Sequence, residues 1–251
     1  GTLLVEVGKR VGIRGVGIFG QEANWNQYAL TKMNLMLNGF KDSTFFWGDS
    51  LSNPKLTDGD RLKQFDIVVS IPPFADKWAI EEAEFDRYER FQYGIPPRSQ
   101  ATWAYISHIL ASLKPNGRAV VVVPAGVLFR TSESKIRHQI IEHNLLETVI
   151  ELPQNLFYGT AISTAILVFR KNRETTQTLF MDARKGYISN KGIYKLSDAM
   201  VEQLLNTYKG FLSGEQVWQE NSCPAYIATQ EEVRNNKYDW QTVKYVEEKI
   251  E

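Results

Sequence analysis

Short apolar runs alternate along the chain with longer segments in which apolar residues recur every three or four positions. The runs are typical of buried strands, and the recurring pattern is typical of amphipathic helices. The predicted strands are 16–19, 44–47, 65–70, 118–123, 145–152, 161–170 and 178–183, and the predicted helices are 2–11, 24–38, 100–113, 132–143 and 197–208. This alternation predicts an α/β fold with a mainly parallel sheet covered by helices on both faces.

Several segments depart from a simple alternation. The strands at 145–152 and 161–170 are joined by a short loop, which predicts an antiparallel pair at one edge of the sheet. Residues 75–98 are expected to form a long irregular loop with some helix, and residues 221–251 are polar with isolated aromatics. The segment 114–117, Lys-Pro-Asn-Gly, predicts a turn.

The first predicted element is a helix, and it follows Gly1-Thr2 directly. A nucleotide-binding sheet normally begins with a strand, a glycine-rich turn and then a helix. We therefore expect this stretch to start inside the glycine-rich turn, so that it lacks the first strand and most of that turn.

Composition excludes several classes of protein. Apolar residues make up 43% of the chain and charged residues 23%, as in an ordinary globular protein. The longest apolar run, 119–129, contains Pro124 and is too short to span a membrane. A single cysteine, Cys223, excludes an intramolecular disulfide and fits a reducing cytoplasm. Since no Cys or His lies near Cys223 at metal-ligand spacing, we expect no metal site.

The charge balance bears on possible partners. The formal net charge is +0, and the basic residues form only small groups. A protein that holds DNA by itself usually has a basic bias. If DNA is the substrate, a partner protein is therefore expected to supply many of the contacts that bind it. The three histidines, His108, His138 and His143, lie in helical stretches and are predicted to be surface or packing residues.

Polar residues follow three successive predicted strands. Glu22 follows the strand at 16–19, Asp49-Ser50 follows the strand at 44–47, and a Pro-Pro turn follows the strand at 65–70. Ligands of open α/β sheets bind at the carboxyl ends of the strands. A carboxylate after one strand suits ribose hydroxyls, and a carboxylate after the next suits the amino group of adenine. The order predicts a site for an adenosine-containing cofactor with its reactive end near residue 71.

The turn itself, Ile71-Pro72-Pro73-Phe74, resembles Asn-Pro-Pro-Phe, the active-site signature of enzymes that methylate amino nitrogens. In that signature the Asn side chain and a Pro carbonyl accept hydrogen bonds from the target amine, and the aromatic ring stacks on the base. The prolines stiffen the turn and fix φ. Ile71 cannot accept a hydrogen bond, so we expect a rate lower by about 10²–10³-fold or more, as when one preorganised polar group is lost.

Other stretches extend this resemblance over almost the whole chain, which is similar to the modification subunit of type I restriction-modification systems, a family of DNA adenine-N6 methyltransferases. The matching stretches are 1–4, 19–22, 33–35, 48–51, 65–74 with 77–78, 113–129, 152–160, 166–171 and 238–246. The resemblance implies a Rossmann-like class I S-adenosylmethionine-dependent methyltransferase fold, a mostly parallel sheet with an antiparallel edge strand. It also implies a truncated catalytic core at 1–172 and a C-terminal extension of the catalytic domain at 173–251.

The resemblance also implies roles for individual residues. The expected ligands of S-adenosylmethionine are Gly1, Thr2, Glu22 for the ribose, Asp49 for the adenine amine, and Ser50. The positions expected to meet a flipped-out adenine are Ile71 (where the family has Asn), Pro72, Pro73 and Phe74, with Phe157 and Tyr158 nearby. The expected partners are DNA and the specificity and restriction subunits of a cytoplasmic complex, with no membrane and no metal.

Two other functions remain open from the residues alone. The same turn suits any planar amine, so a methyltransferase that acts on protein glutamine or RNA is the second interpretation. Ile71 favours instead a non-catalytic subunit that retains the fold as a DNA-binding scaffold.

Overall fold

The computed structural model describes residues 1–12, 16–157, 161–190, 193–214 and 223–246. The described α-helices are α1 (Thr2–Val11), α2 (Trp25–Leu37), α3 (Ala101–Ala111), α4 (Ser134–Glu142), α5 (Asp198–Ser213) and α6 (Gln230–Asn235). The described strands are β1 (Phe19–Glu22), β2 (Thr44–Trp47), β3 (Thr57–Asp58), β4 (Arg61–Leu62), β5 (Phe65–Ser70), β6 (Leu113–Pro124), β7 (Leu146–Glu151), β8 (Thr164–Arg170), β9 (Thr178–Asp182), β10 (Tyr187–Asn190), β11 (Ile193–Leu196) and β12 (Ala225–Ala228). Within these residues, no helix combines the length and the apolar character that a membrane span requires.

The predicted helices and strands lie close to the observed ones, and two boundaries differ in ways that bear on the site. Ser197 caps α5, since its side chain accepts a hydrogen bond from the Met200 N–H. The first strand is displaced along the chain to β1, so Glu22 is the last residue of the strand and does not follow it. The predicted turn at 114–117 lies inside β6 and forms an irregularity in its pairing with β5. Phe65 pairs with Leu113 before it, and Ile67 pairs with Arg118 after it.

The sheet is mixed. Six strands form one sheet in the order β12-β9-β7-β8-β6-β5. Strands β5 and β6 are parallel, and so are β7 and β9, whereas β8 is antiparallel to both of its neighbours. Four of the six strands, β5, β6, β7 and β9, run in one direction, so the predicted mostly parallel sheet is confirmed. The antiparallel edge strand is β12, where no strand was expected. The strand pair at 145–152 and 161–170 is antiparallel as predicted, but its predicted place at an edge is wrong. β8 lies between β6 and β7 because its apolar residues are buried on both faces.

A second, two-stranded sheet holds β1 and β2 in parallel. Among the described residues, β1 is hydrogen-bonded only to β2 and β5 only to β6, so the sheet is interrupted between β1 and β5. The rings of Phe19 and Phe65 meet across this interruption with centroids 5.3 Å apart. At this place the two sheets therefore meet through side chains and not through hydrogen bonds between described strands.

The C-terminal segment belongs to the main core. Trp240 is fully buried, with its ring 5.8 Å from that of Trp103, and Tyr245 stacks on Phe180 at 3.8 Å. The residues at 221–251 were predicted to be polar with isolated aromatics. Trp240 and Tyr245 are core residues, and Tyr226 and Tyr238 pack partly buried against the same core. The proposed division at residue 172 therefore does not interrupt the sheet, and as a functional boundary it stays a prediction.

Candidate active site at the carboxyl edge of the sheet

The predicted cofactor residues Glu22 and Asp49 lie at neighbouring strand ends. β1 and β2 are parallel, and the Gly48 N–H donates to the Glu22 carbonyl at 3.0 Å, which links the two ends. The Glu22 carboxylate accepts a hydrogen bond from the Asn24 N–H at 2.9 Å. Both carboxylates are half-buried. The structure thus brings together two acids that are 27 residues apart in the sequence.

A tight turn orients the Asp49 carboxylate. One oxygen accepts the Leu51 N–H at 2.9 Å, and the other accepts the Ser52 hydroxyl at 3.1 Å. Gly48 allows the turn, because its φ of 147° lies in a region that side-chain-bearing residues rarely adopt. An ionised carboxylate has about four acceptor positions, so each oxygen can still accept a further donor such as an adenine amine.

Gln21 holds the loop that follows Asp49, a role that the sequence did not reveal. Its side-chain NH₂ donates to the Asn53 carbonyl at 2.9 Å, and its side-chain oxygen accepts the Lys55 N–H at 2.8 Å. Only its position in the strand-end triplet Gly20-Gln21-Glu22 could have drawn attention to it.

A buried ion pair supports the same loop from the other side. The Arg90 side chain is 3% exposed and the Asp86 side chain 4%, and they meet at 2.8 Å. The guanidinium also donates to the Leu51 carbonyl at 2.8 Å and to the Ser50 carbonyl at 3.3 Å. The predicted cofactor residue Ser50 is therefore held through its backbone by Arg90. The segment 75–98, predicted as an irregular loop with some helix, is thus an anchored element of the site.

Tyr105 of α3 is a further site residue that sequence reasoning missed. Burial raises the pKa of its hydroxyl to about 12, and the carboxylates of Asp49, Asp76 and Glu22 add to the rise. All three carboxylates therefore act on one hydroxyl, which lies close to the pair of strand ends. The ring packs with Leu51 in the cluster between α3 and the 75–98 segment. A tyrosine in a helix of apolar residues carries no signal of this position.

His108 lies one helical turn further along α3, near Arg90 and Asp86. Burial lowers the pKa of its imidazole from 6.5 to about 4, Arg90 adds to the decrease, and Asp86 and Asp49 oppose it. The prediction that His108 is a packing residue agrees with this environment.

This shift predicts a pH dependence of stability. Between pH 6.5 and about 4 the unfolded chain binds more protons at His108 than the folded chain, so the free energy of unfolding falls as the pH falls. We expect His108→Gln to remove up to about 3 kcal/mol of this decrease between pH 7 and pH 4, measured by urea unfolding. His138→Gln, at a histidine whose side chain is 43% exposed, controls for the substitution. An unchanged pH dependence in His108→Gln would contradict the prediction.

The predicted residues Gly1 and Thr2 form the start of α1, Gly1 as N-cap and Thr2 as the first helical residue. A Cβ on Gly1 would lie 2.9 Å from the Thr31 methyl carbon, so this close approach to α2 requires glycine. The roles of Gly1 and Thr2 as cofactor ligands stay predictions.

The Pro-Pro turn follows β5 at the same edge. Pro72 is buried, and the Thr102 hydroxyl of α3 donates to the Pro73 carbonyl at 3.5 Å. Ile71 is 46% exposed, so an apolar side chain faces outward at the position where the signature has Asn.

Aromatic residues from two loops meet beside this turn. The rings of Phe74 and Phe157 form an edge-to-face pair with centroids 5.7 Å apart. This contact joins the turn after β5 to the loop after β7, and the role of Phe157 near the base stays a prediction. Tyr158, the other predicted residue of that loop, lies outside the described residues.

The described residues contain no group of three or more His, Cys, Asp or Glu side chains placed to hold a metal ion. The residues that converge on the edge fit an adenosine-containing cofactor better. Glu22 and Asp49 supply two adjacent carboxylates, and neither forms an ion pair with a described Lys or Arg side chain.

Known proteins resemble this chain over its whole length. The methylase subunit of the type I restriction enzyme MpnII from Mycoplasma pneumoniae is 29% identical over 265 residues, which is 100% of this chain and 48% of that protein. The HindI methylase subunit from Haemophilus influenzae is 29% identical over 240 residues, 93% of this chain and 53% of its own length. The crystal structure of a type I restriction-modification methyltransferase subunit from Streptococcus thermophilus superposes with a TM-score of 0.88 at 32% identity, covering 98% of this chain and 52% of that chain.

The chain thus spans about half the length of these relatives. Its fold is the Rossmann-like class I methyltransferase fold. The family described as N-6 DNA Methylase matches residues 1–251, and the chain belongs to that family.

Proposed function

We propose that this chain is the catalytic domain of a type I restriction-modification methylase subunit, which methylates N6 of an adenine in DNA with S-adenosylmethionine as donor. The observation that carries the proposal is that Glu22, Asp49 and the turn at 71–74 lie at the carboxyl ends of β1, β2 and β5, in two sheets that meet where Phe19 packs on Phe65. The names of the relatives, methylase subunits of type I restriction enzymes, support the same reaction.

The cofactor would lie along the ends of β1 and β2. Glu22 would accept from the ribose hydroxyls, and Asp49 would accept from the adenine amine. Gly1 and Thr2 would contribute the N-terminus of α1, where backbone N–H groups favour a negatively charged group such as a carboxylate. S-adenosylmethionine, when bound, supplies an electrophilic methyl group. Ser50 would act through its backbone, which Arg90 already holds.

The target adenine would lie at the turn after β5. A base must leave the duplex to reach this position, at a cost of a few kcal/mol that stacking can offset. Phe74 would stack on it, with Phe157 at its edge, and such stacking contributes about 1–3 kcal/mol per base. The Pro72 carbonyl would accept one amine proton. The second acceptor of the signature is absent, because Ile71 replaces Asn, so we expect this copy to be impaired.

The partners would be DNA, a specificity subunit and a restriction subunit. A net charge of +0 fits a catalytic domain in a complex whose DNA affinity comes largely from another subunit. A cytoplasmic location, without membrane or metal, stays a prediction.

The cofactor assignment predicts that Glu22→Gln weakens S-adenosylmethionine binding by about 10- to 100-fold, since hydrogen bonds to a charged group contribute about 1.5–3 kcal/mol. Calorimetric titration of the protein expressed from its complete gene measures this. Glu6→Gln is the matched control, because Glu6 is exposed in α1 and pairs only loosely with Lys9 at 4.0 Å. Equal affinities of Glu22→Gln and Glu6→Gln would refute the role of Glu22.

The reaction is tested by transfer of a labelled methyl group in the presence of a specificity subunit. Duplex DNA, RNA and protein are offered to the Ile71 form and to Ile71→Asn. Formation of 6-methyladenine in DNA supports the proposal, and label on glutamine or RNA would replace it with the other amine substrates. Cofactor and DNA binding without transfer in either form would favour the non-catalytic scaffold, the function to which Ile71 points.

A further inference from the structure

The β10–β11 hairpin, residues 187–196, carries an aromatic pair that the fold does not require. The strands pair Tyr187 with Leu196 and Ser189 with Tyr194, which places the two tyrosines diagonally on one face. Their rings stack with centroids 4.3 Å apart and planes 15° apart. Tyr187 is 42% exposed and Ile188, on the opposite face, is 57% exposed. Both faces of the hairpin therefore present large apolar side chains to the surroundings.

The position of the hairpin connects it to the proposed base pocket. β9 is parallel to β7, so the hairpin, which follows β9, and the loop after β7 leave the sheet at the same edge. The Tyr194 N–H donates to the Asn155 carbonyl of that loop at 3.3 Å. Two residues further along the same loop, Phe157 contacts Phe74. A continuous path of contacts thus runs from the turn after β5 to the hairpin.

The root of the hairpin is held firmly. The Ser197 N–H donates to the Gly186 carbonyl at 3.2 Å. A Cβ on Gly186 would lie 2.3 Å from the terminal carbon of Met200, so the residue before the hairpin packs closely on the side chain of α5. The hairpin is therefore seated on the domain while its outer residues remain exposed.

The hairpin also differs from the rest of the chain in charge. The chain as a whole has a net charge of +0, but the hairpin with its flanking segments, residues 183–197, has four basic residues and no acid. One of the four, Arg184, is paired with Asp182 at 2.6 Å. Lys185, two residues before the hairpin, is exposed, and the Lys195 side chain, 75% exposed, meets Asp198 at 3.6 Å in open solvent. Such an exposed pair contributes little and leaves the lysine able to contact another anion. Basic side chains interleaved with aromatic ones suit a nucleic acid better than a protein surface.

We propose that the β10–β11 hairpin is a DNA-contacting element, which binds the strand beside the flipped-out adenine. Lys185 and Lys195 contact phosphates, and the exposed face of Tyr187 stacks on a base or sugar next to the emptied position. This assignment rests on the proposed function, because it places the DNA at the turn after β5. The hairpin would add local DNA contacts that do not depend on base sequence. The domain as a whole has no net positive charge to attract DNA.

The test measures the binding of duplex DNA by the complex of the complete protein and a specificity subunit. Tyr187→Ala is expected to weaken binding by about 5- to 100-fold, the effect of removing one stacking contact. Lys185→Gln and Lys195→Gln are each expected to lower the slope of log affinity against log salt by about 1. Lys41→Gln is the control, since Lys41 is exposed and precedes β2 at the opposite edge of the sheet. It should leave the slope unchanged.

Two further readouts separate the hairpin from the proposed function. Size-exclusion chromatography of the subunits and S-adenosylmethionine titration should be unchanged in Tyr187→Ala, and failure of the subunits to assemble would assign the hairpin to a protein partner instead. Wild-type salt slopes and DNA affinities in all three variants would overturn the hairpin proposal alone. If the Ile71→Asn background forms no 6-methyladenine but the hairpin variants still lose DNA affinity, the proposed reaction fails while the hairpin remains a DNA contact.

Discussion

Ile71→Asn is expected to raise the rate of methyl transfer to DNA adenine by about 10²–10³-fold, the largest functional effect predicted for this protein. The Asn oxygen would accept the second amine proton, which draws the nitrogen towards a tetrahedral geometry with its lone pair directed at the methyl donor. Ile71 is already 46% exposed, so Asn can replace it with a change in the free energy of unfolding within about 0.5 kcal/mol. The measurement is initial rates with labelled donor at saturating DNA.

Ile95→Asn is the matched control. Ile95 is 53% exposed and lies in the 75–98 segment, so the chemical change and the exposure are similar while the position differs. We expect no gain in rate from it. Equal rates in Ile71→Asn and wild type would mean that the Asn acceptor is dispensable here. The account of the turn given above would then be wrong.

Arg90→Met is expected to have the largest effect on stability, a loss of about 3–5 kcal/mol, as when one partner of a buried ion pair is removed. It would leave the Asp86 carboxylate, 4% exposed, without its guanidinium, and the Leu51 carbonyl without its donor. Urea unfolding measures the loss. Because Leu51 also donates to Asp49, the affinity for S-adenosylmethionine should fall in the fraction that remains folded.

Two variants make the Arg90 test specific. Arg98→Met removes an arginine of the same segment that is 68% exposed and pairs with Glu81 at 3.5 Å, and it should cost no more than about 1 kcal/mol. The double variant Arg90→Met with Asp86→Leu should recover part of the stability, since no buried charge remains. The rest of the loss comes from the Leu51 carbonyl and the Arg90 N–H, which lose their partners. A loss in Arg90→Met no larger than that in Arg98→Met would rule out the ion pair as a support of the site.

The site could be predicted in part because its chemistry is carried by short, local segments. Glu22 is the last residue of an apolar strand, Asp49 and the turn at 71–74 each follow one, and strands of one direction end at one edge. That these residues lie close together therefore follows from the order of the strands and helices. Gln21, Arg90 and Tyr105 could not be found this way. Each reaches the Asp49 loop from a distant part of the chain, and nothing in the neighbouring sequence indicates that contact.

The same distinction applies to the fold. The sequence by itself determined the alternation of strands and helices, the Ser197 cap and the parallel character of the sheet, because hydrophobic period and capping are local properties. Only the tertiary structure decided that β8 lies inside the sheet, that Trp240 and Tyr245 complete the core, and that the β10–β11 hairpin meets the loop after β7. These features depend on which surfaces remain to be covered once the central strands have paired. Burial of that kind joins residues far apart in sequence, and a local pattern does not encode it.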